Sequence, residues 1–300
     1  MTVEAYAKVN LTLEVYGRRP DGYHALRSLV APISLADTLD VELTDDGTFT
    51  SDTGFPDDLC LRAARRLMAA CVTTAPSPST CANDGEGAVV TQCPGVRIRV
   101  TKRIPVGGGL GGGSADAAAT LRALNELCHL GLTPERLAEI GADVGSDVPA
   151  LVLAQHYRQA VLMEGRGEKV SLFDGPVSQS NDPNNLALPQ SSNPNNRTIF
   201  LVLANPGVSV STAEAYRLCV PRTAPATVWV NDLQTPAVKL HPEIADALAL
   251  LRAAGVAGAM MSGSGSSVFG FVRDEDEARR ISAELTAHGC RSWPVRAGSL

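Results

Sequence analysis

Six glycines in seven positions, Gly107 to Gly113 broken only by Leu110, cannot form the interior of a helix or a strand. Glycine loses more backbone freedom on ordering than any other residue, so such a run persists where the chain uses its bare backbone. Before it, Val96, Ile98 and Val100 alternate with Arg97, Arg99 and Thr101, the period of a half-exposed strand. After it, Ala118, Leu121, Leu124 and Leu127 recur at helical spacing, and Gly131 stands beyond them as a stop. The pattern predicts strand, glycine loop and helix. A loop of this kind presents unpaired N–H groups and the positive end of a helix dipole, which is an anion site, most often for phosphate.

Other glycine motifs fit less well. A P-loop needs Gly-Lys-Ser/Thr after its glycines, and none follows here. Gly107, Gly109 and Gly112 satisfy a dinucleotide fingerprint on paper. However, Arg97, Arg99 and Lys102 lie where a central parallel strand is apolar on both faces, and a second helix follows where a second strand should stand.

The chain has 300 residues, 44% hydrophobic and 19% charged, the composition of an ordinary globular protein. No apolar run approaches the roughly 18 residues of a membrane span, and residues 1–8 lack a signal pattern, so the cytoplasm is the expected compartment. The net charge is −6 with basic residues scattered, which gives no footprint for nucleic acid. Seven cysteines (60, 71, 81, 93, 128, 219 and 290) show no C-x-x-C and no histidine at metal-ligand spacing. They are expected as free thiols; Cys81 and Cys93 share one loop, but a reducing compartment argues against a bridge.

From Val3 to Val15 the odd positions are apolar and the even ones polar, a two-faced strand with Lys8 and Asn10 neighbours on the polar side, about 7 Å apart. By pattern alone that side is a solvated face. Pro20-Asp21-Gly22 is a turn, followed by Tyr23 and His24. Residues 38–43 form a probable strand in this reading, and Asp58 caps a helix carrying Leu59, Ala63, Leu67 and Ala70 on one side. Residues 73–95 read as a surface excursion rich in Pro, Ser, Thr and Gly.

Thr133 and Pro134 open another helix. Asp143 and Asp147 follow in a short irregular connection, where paired acids serve as caps, as solvated charges or in catalysis. Residues 174–196 read as a linker. Beyond it come strand (199–203), a helix through Tyr216, helix (242–254), strand (259–262), strand (267–272), helix (276–288) and strand (291–296). That order is a ferredoxin-like split βαβ unit with one extra helix. The expected domains are residues 1–172 and 173–300.

Five segments carry a family resemblance. Pro105 to Ala119 resembles the phosphate-binding motif of the GHMP small-molecule kinases, which act on galactose, homoserine, mevalonate and phosphomevalonate. Gly145 to Pro149 resembles their second motif and Met260 to Ser267 their third, a glycine turn that closes against the phosphate loop. Ala7 to Leu11 and Gly17 to His24 are similar to the branch whose acceptor is a cytidine-diphosphate-linked polyol, a methylerythritol of the non-mevalonate route to isoprenoids. The resemblance covers most of residues 3–170 and 199–273.

The resemblance implies an α+β, two-domain GHMP kinase fold: an N-terminal domain like the second domain of ribosomal protein S5, then the ferredoxin-like unit. It implies ATP and Mg2+ as cofactors, with Pro105, Val106, Gly107, Gly108, Gly109, Leu110, Gly111, Gly112, Gly113, Ser114 and Ala115 on the ATP. Lys8 and Asp147 become the catalytic pair, and Asn10, Tyr23 and His24 face the acceptor; Tyr23 and Tyr216, the latter by its spacing after Pro206-Gly207-Val208, are expected to stack on cytosine, with His24 supplying polar recognition of the base. No residue is assigned to metal, and the expected assembly is a monomer or homodimer. One departure stands at Ala150 to Tyr157, where the family has aromatic residues and a glycine pair. A homoserine or mevalonate kinase would share the glycine loop without needing Asp21 to His24, and a silent nucleotide-binding regulator would not need Lys8 and Asp147.

Overall fold

The computed structural model describes residues 1–74, 94–173, 199–226 and 229–298, with side chains of 71–74 set aside. Cys81, Cys93 and most of the two loop segments expected from sequence lie outside the described residues. Cys60, Cys219 and Cys290 are free thiols.

The apolar alternation of the first residues becomes a long strand, β1 (Thr2–Arg18), paired antiparallel with β2 (His24–Thr44) from Thr2↔Asp40 to Arg18↔His24. Residues 38–43 are therefore one end of a strand three times their length. Sequence pattern missed the rest because residues 29–36, apart from Ser34, are apolar without alternation, the signature of a strand buried on both faces. The second edge of β2 is shared. Thr38–Thr44 pairs with β4 (Gly95–Thr101), and Leu26–Val30 pairs with β5 (Val161–Gly165). Short strands finish the sheet, with β3 (Phe49–Ser51) parallel to β4 and β6 (Lys169–Leu172) antiparallel to β5.

Four helices supply the apolar faces packed with this sheet: α1 (Leu59–Thr74), α2 (Gly112–Leu127), α3 (Pro134–Ala142) and α4 (Val148–Tyr157). Ala115, Ala117, Ala118, Leu121 and Leu124 of α2 are buried with Ala5, Ala7 and Val9 of β1 in one core. The run of alanines lets α2 approach the sheet closely. Asp58 accepts from the N–H groups of Cys60 and Leu61, and Thr133 from that of Arg136, so both expected caps form.

The second half builds β7 (Ile199–Asn205), α5 (Thr212–Leu218), α6 (Gln234–Leu240), α7 (Glu243–Ala253), β8 (Ala257–Met261), β9 (Val268–Val272), α8 (Glu275–Ala287) and β10 (Arg291–Ala297). The antiparallel order β10-β7-β9-β8 is the split βαβ arrangement. It carries α6 in addition to the helices expected; Pro236 marks that stretch as broken, yet proline is tolerated in a first helical turn. One residue pair, Ala297↔Ile33, joins this sheet to β2.

Candidate active site

A cavity of about 710 Å³ opens where the glycine loop, β1, the turn before α4, and the β8–β9 turn meet. Strand β4 ends at Thr101, and α2 begins at Gly112, two residues earlier than the glycine count suggests. Gly111 is its N-cap with φ 69°, and the first intrahelical bond runs from Ala115 N–H to Gly111 C=O at 2.8 Å. The N–H groups of the first turn lack partners within the helix, and they border the cavity. Pro105 to Ser114 all line it. Ala115 does not; its side chain is buried in the core behind.

The loop is held by distant strands. Lys8 N–H donates to Leu110 C=O at 3.0 Å, Ser262 Oγ to Gly109 C=O at 3.0 Å, and Ser267 N–H to Gly108 C=O at 3.0 Å. Asn10 N–H in turn donates to Ser262 Oγ at 3.2 Å. Gly109 has φ 73°, and a Cβ there would lie 2.2 Å from Ser262 C=O, so both conformation and space demand glycine. The β8–β9 turn thus packs directly on the loop.

Lys8 and Asn10 are only 4% and 5% exposed, so the polar side of β1 is buried at these two positions rather than solvated. The Lys8 ammonium donates to Asn10 Oδ1 and lies 3.6 Å from Asp147 Oδ2. Asn10 is fixed in turn by donating to Ser28 Oγ at 2.8 Å. Asp147 stands at the N-cap position of α4 without making the side-chain capping bond, which leaves its carboxylate for Lys8 and the cavity. Asp143 points elsewhere, into an exposed ion pair with Arg66. Behind Asp147, residues 148–155 are all buried, so aliphatic packing fills the stretch where the family has aromatic residues.

The aromatic residues separate. Tyr216 lines the cavity, and burial together with the Asp147 charge pushes its phenol well above the usual range, so it stays neutral. His24 stacks on Tyr216, ring centroids 5.5 Å apart and 21° between planes. Tyr23 is 57% exposed and, like His24, is not among the lining residues.

Three charged residues escaped sequence reading. Asp37 on β2 is fully buried and accepts from the Lys102 ammonium and from the N–H groups of Arg103 and Ile104. Lys102 also donates to Asp116 Oδ2 at 2.7 Å, and Asp116 Oδ1 is buried without a partner. Burial pushes the Asp116 carboxyl up to about 7 against the pull of Lys102, since two carboxylates share one ammonium. The legible signal was Asp37 itself, a lone acid in the apolar stretch from Ile33 to Leu39.

A glycine loop seated on a helix N-terminus, facing a buried lysine paired with an aspartate on an α+β fold, defines the small-molecule kinase class. Family models for the GHMP kinases N terminal domain and the GHMP kinases C terminal match residues 77–155 and 226–289. The chain is 35% identical to the 4-diphosphocytidyl-2-C-methyl-D-erythritol kinase of Citrifermentans bemidjiense, over 96% of this chain and 95% of that one. It is 37% identical to the enzyme of that name from Moorella thermoacetica, over 95% and 94%. A crystal structure of 4-(cytidine 5'-diphospho)-2C-methyl-D-erythritol kinase superposes with a TM-score of 0.72 at 34% identity, covering 99% of both chains. The chain belongs to the 4-diphosphocytidyl-2-C-methyl-D-erythritol kinase family of GHMP kinases.

Proposed function

We propose that this chain transfers the γ-phosphoryl group of ATP to the 2-hydroxyl of 4-diphosphocytidyl-2-C-methyl-D-erythritol, a step of non-mevalonate isoprenoid biosynthesis. The observation that carries the reading is the Lys8–Asp147 pair at 3.6 Å, facing the glycine loop in the same cavity that Tyr216 lines. Phosphoryl transfer asks mainly for positioning and charge stabilisation, which this arrangement supplies.

The N–H groups of residues 107–114 and the α2 dipole would cradle the triphosphate. Asp147 would accept the proton of the acceptor hydroxyl or orient that hydroxyl, and Lys8 would offset charge on the transferring group. Asn10 holds the Lys8 ammonium in place. Tyr216 would stack on the cytosine, with His24 beside it and Tyr23 at the rim.

Among the described residues no cluster of three or more His, Cys, Asp or Glu side chains could hold a metal by itself. Among the oxygen donors that line the cavity, Ser114 at the start of α2 and Asp147 beside Lys8 fit a Mg2+ ion carried on phosphates with few protein ligands, and these two would hold it. Bound there, the ion would supply charge neutralisation on the transferring phosphates.

No helix among the described residues is long and apolar enough to cross a membrane. The reading places the enzyme in the cytoplasm as a monomer or homodimer, divided at residues 172 and 173. ATP consumption against a panel of acceptors tests it. Turnover with the cytidine-diphosphate-linked methylerythritol, and none with homoserine or mevalonate, is expected; turnover with either of the latter, or with no acceptor, overturns it.

A further inference from the structure

The turn between β5 and β6, Glu164 to Glu168, touches both halves of the proposed acceptor machinery. On one side the Arg166 guanidinium lies over the Tyr23 ring, 5.5 Å from its centroid. The Glu168 carboxylate accepts from Arg166 N–H and lies 3.3 Å from Arg19 Nη1. Arg19 N–H closes the circuit by donating to Tyr23 C=O at 2.7 Å. The two turns are thereby clamped by one side chain over a ring and one ion pair.

On its other side the turn presses against the connection that carries Asp147. Gly167 has φ +115°, and a Cβ there would sit 3.0 Å from Ser146 C=O and 3.0 Å from Met163 Cε. Only a glycine admits that approach without displacing Ser146, the residue before Asp147. Met163 itself lines the cavity.

Resting on the function proposed above, we propose that Arg166 is a positioning residue for the acceptor: its guanidinium holds Tyr23 in place so that the exposed ring can stack on cytosine. Through Gly167 the same turn seats the Asp147 connection, so the base and the acceptor hydroxyl are referenced to one rigid element. Tyr23 is 57% exposed and needs such a hold, because a free ring on a turn would lose rotamer entropy on stacking. Arg166 is itself exposed, so its replacement leaves the core untouched.

The test is steady-state kinetics with ATP and the cytidine-diphosphate-linked acceptor, together with calorimetric binding of CDP as the probe of the base site. Arg166→Leu should raise the acceptor KM and the CDP Kd about two- to fivefold, the range for an exposed cation–π contact, with kcat and the ATP KM unchanged. Arg166→Lys should recover part of the loss. In a Tyr23→Ala background Arg166→Leu should add nothing further. Gly167→Ala should instead lower kcat about tenfold with CDP affinity retained, the size of effect a displaced catalytic group produces. Unchanged CDP affinity in Arg166→Leu, or an equal loss with Tyr23 already removed, overturns the role of Arg166; unchanged kcat in Gly167→Ala overturns the coupling. Should the wild type fail to phosphorylate this acceptor, the parent reading falls, and that outcome is separate from wild-type turnover with indifferent variants.

Discussion

The two ends of the cavity are built on different principles. At the glycine loop the groups facing the cavity are backbone, pinned by Leu110, Gly109 and Gly108 carbonyls to β1 and the β8–β9 turn and by buried Asp37 to the residues before the loop. At the aromatic end they are side chains drawn from separate elements: Tyr216 on α5 lines the cavity, His24 at the start of β2 lies against Tyr216, and Tyr23 on the preceding turn is mostly exposed. The contrast teaches that a phosphate cradle is preorganised by hydrogen bonds that cannot rotate away. A base slot assembled from rings on separate elements leaves its final geometry to the ligand and to neighbours such as Arg166.

The sharpest break of this comparison lies between its two ends. Asp147→Asn should lower kcat by at least about a hundredfold with ATP binding retained, the scale of a lost acid-base group. Asp143→Asn should be nearly silent, because its carboxylate is spent on exposed Arg66. An essential Asp143 and a dispensable Asp147 would shift the reacting centre away from Lys8.

The backbone end is tested next. A Cβ at Gly113 would meet only Leu59 at 3.5 Å, whereas at Gly109 it would strike backbone. Gly113→Leu should therefore fill the cradle without unfolding the loop and weaken ATP binding tenfold or more (~1.4 kcal/mol), as measured by calorimetry. Unaltered ATP affinity would mean that the triphosphate lies elsewhere. For the side-chain end, Tyr216→Ala should weaken acceptor binding by about tenfold, since base stacking is worth about 1–3 kcal/mol, and leave ATP affinity alone.

The smallest effect concerns the buried charges under the loop. Asp116 has its carboxyl raised to about 7, so the folded state holds a proton there that the unfolded chain has released above the ordinary carboxylate value of 3.8. Its contribution to stability is present below that ordinary value and is lost as pH rises towards about 7. Asp116→Asn should flatten this fall in the thermal midpoint between about pH 4 and pH 7, and it should raise the midpoint at pH 8 relative to wild type. An identical pH slope in both proteins would show that the network bears no titrating proton.

Local pattern determined a good deal of this molecule. The strand, glycine loop and helix around residues 107–113, the caps at Asp58 and Thr133, and the antiparallel order of the last four strands were legible because each rests on residue types a few positions apart. The motifs also singled out Lys8, Asn10, Asp147 and Tyr216, which the fold brings to one cavity. Tertiary structure decided what alternation cannot express. It buried Lys8 and Asn10 on the polar side of β1, because the glycine loop and the β8–β9 turn, both remote in sequence, cover them. It placed Asp147 beside Lys8 and Asp143 beside Arg66, and it joined Asp37, Lys102 and Asp116 across 79 positions of sequence. Charges and aromatic rings act through distance in space; a one-dimensional pattern records their spacing along the chain, and only folding converts the one into the other.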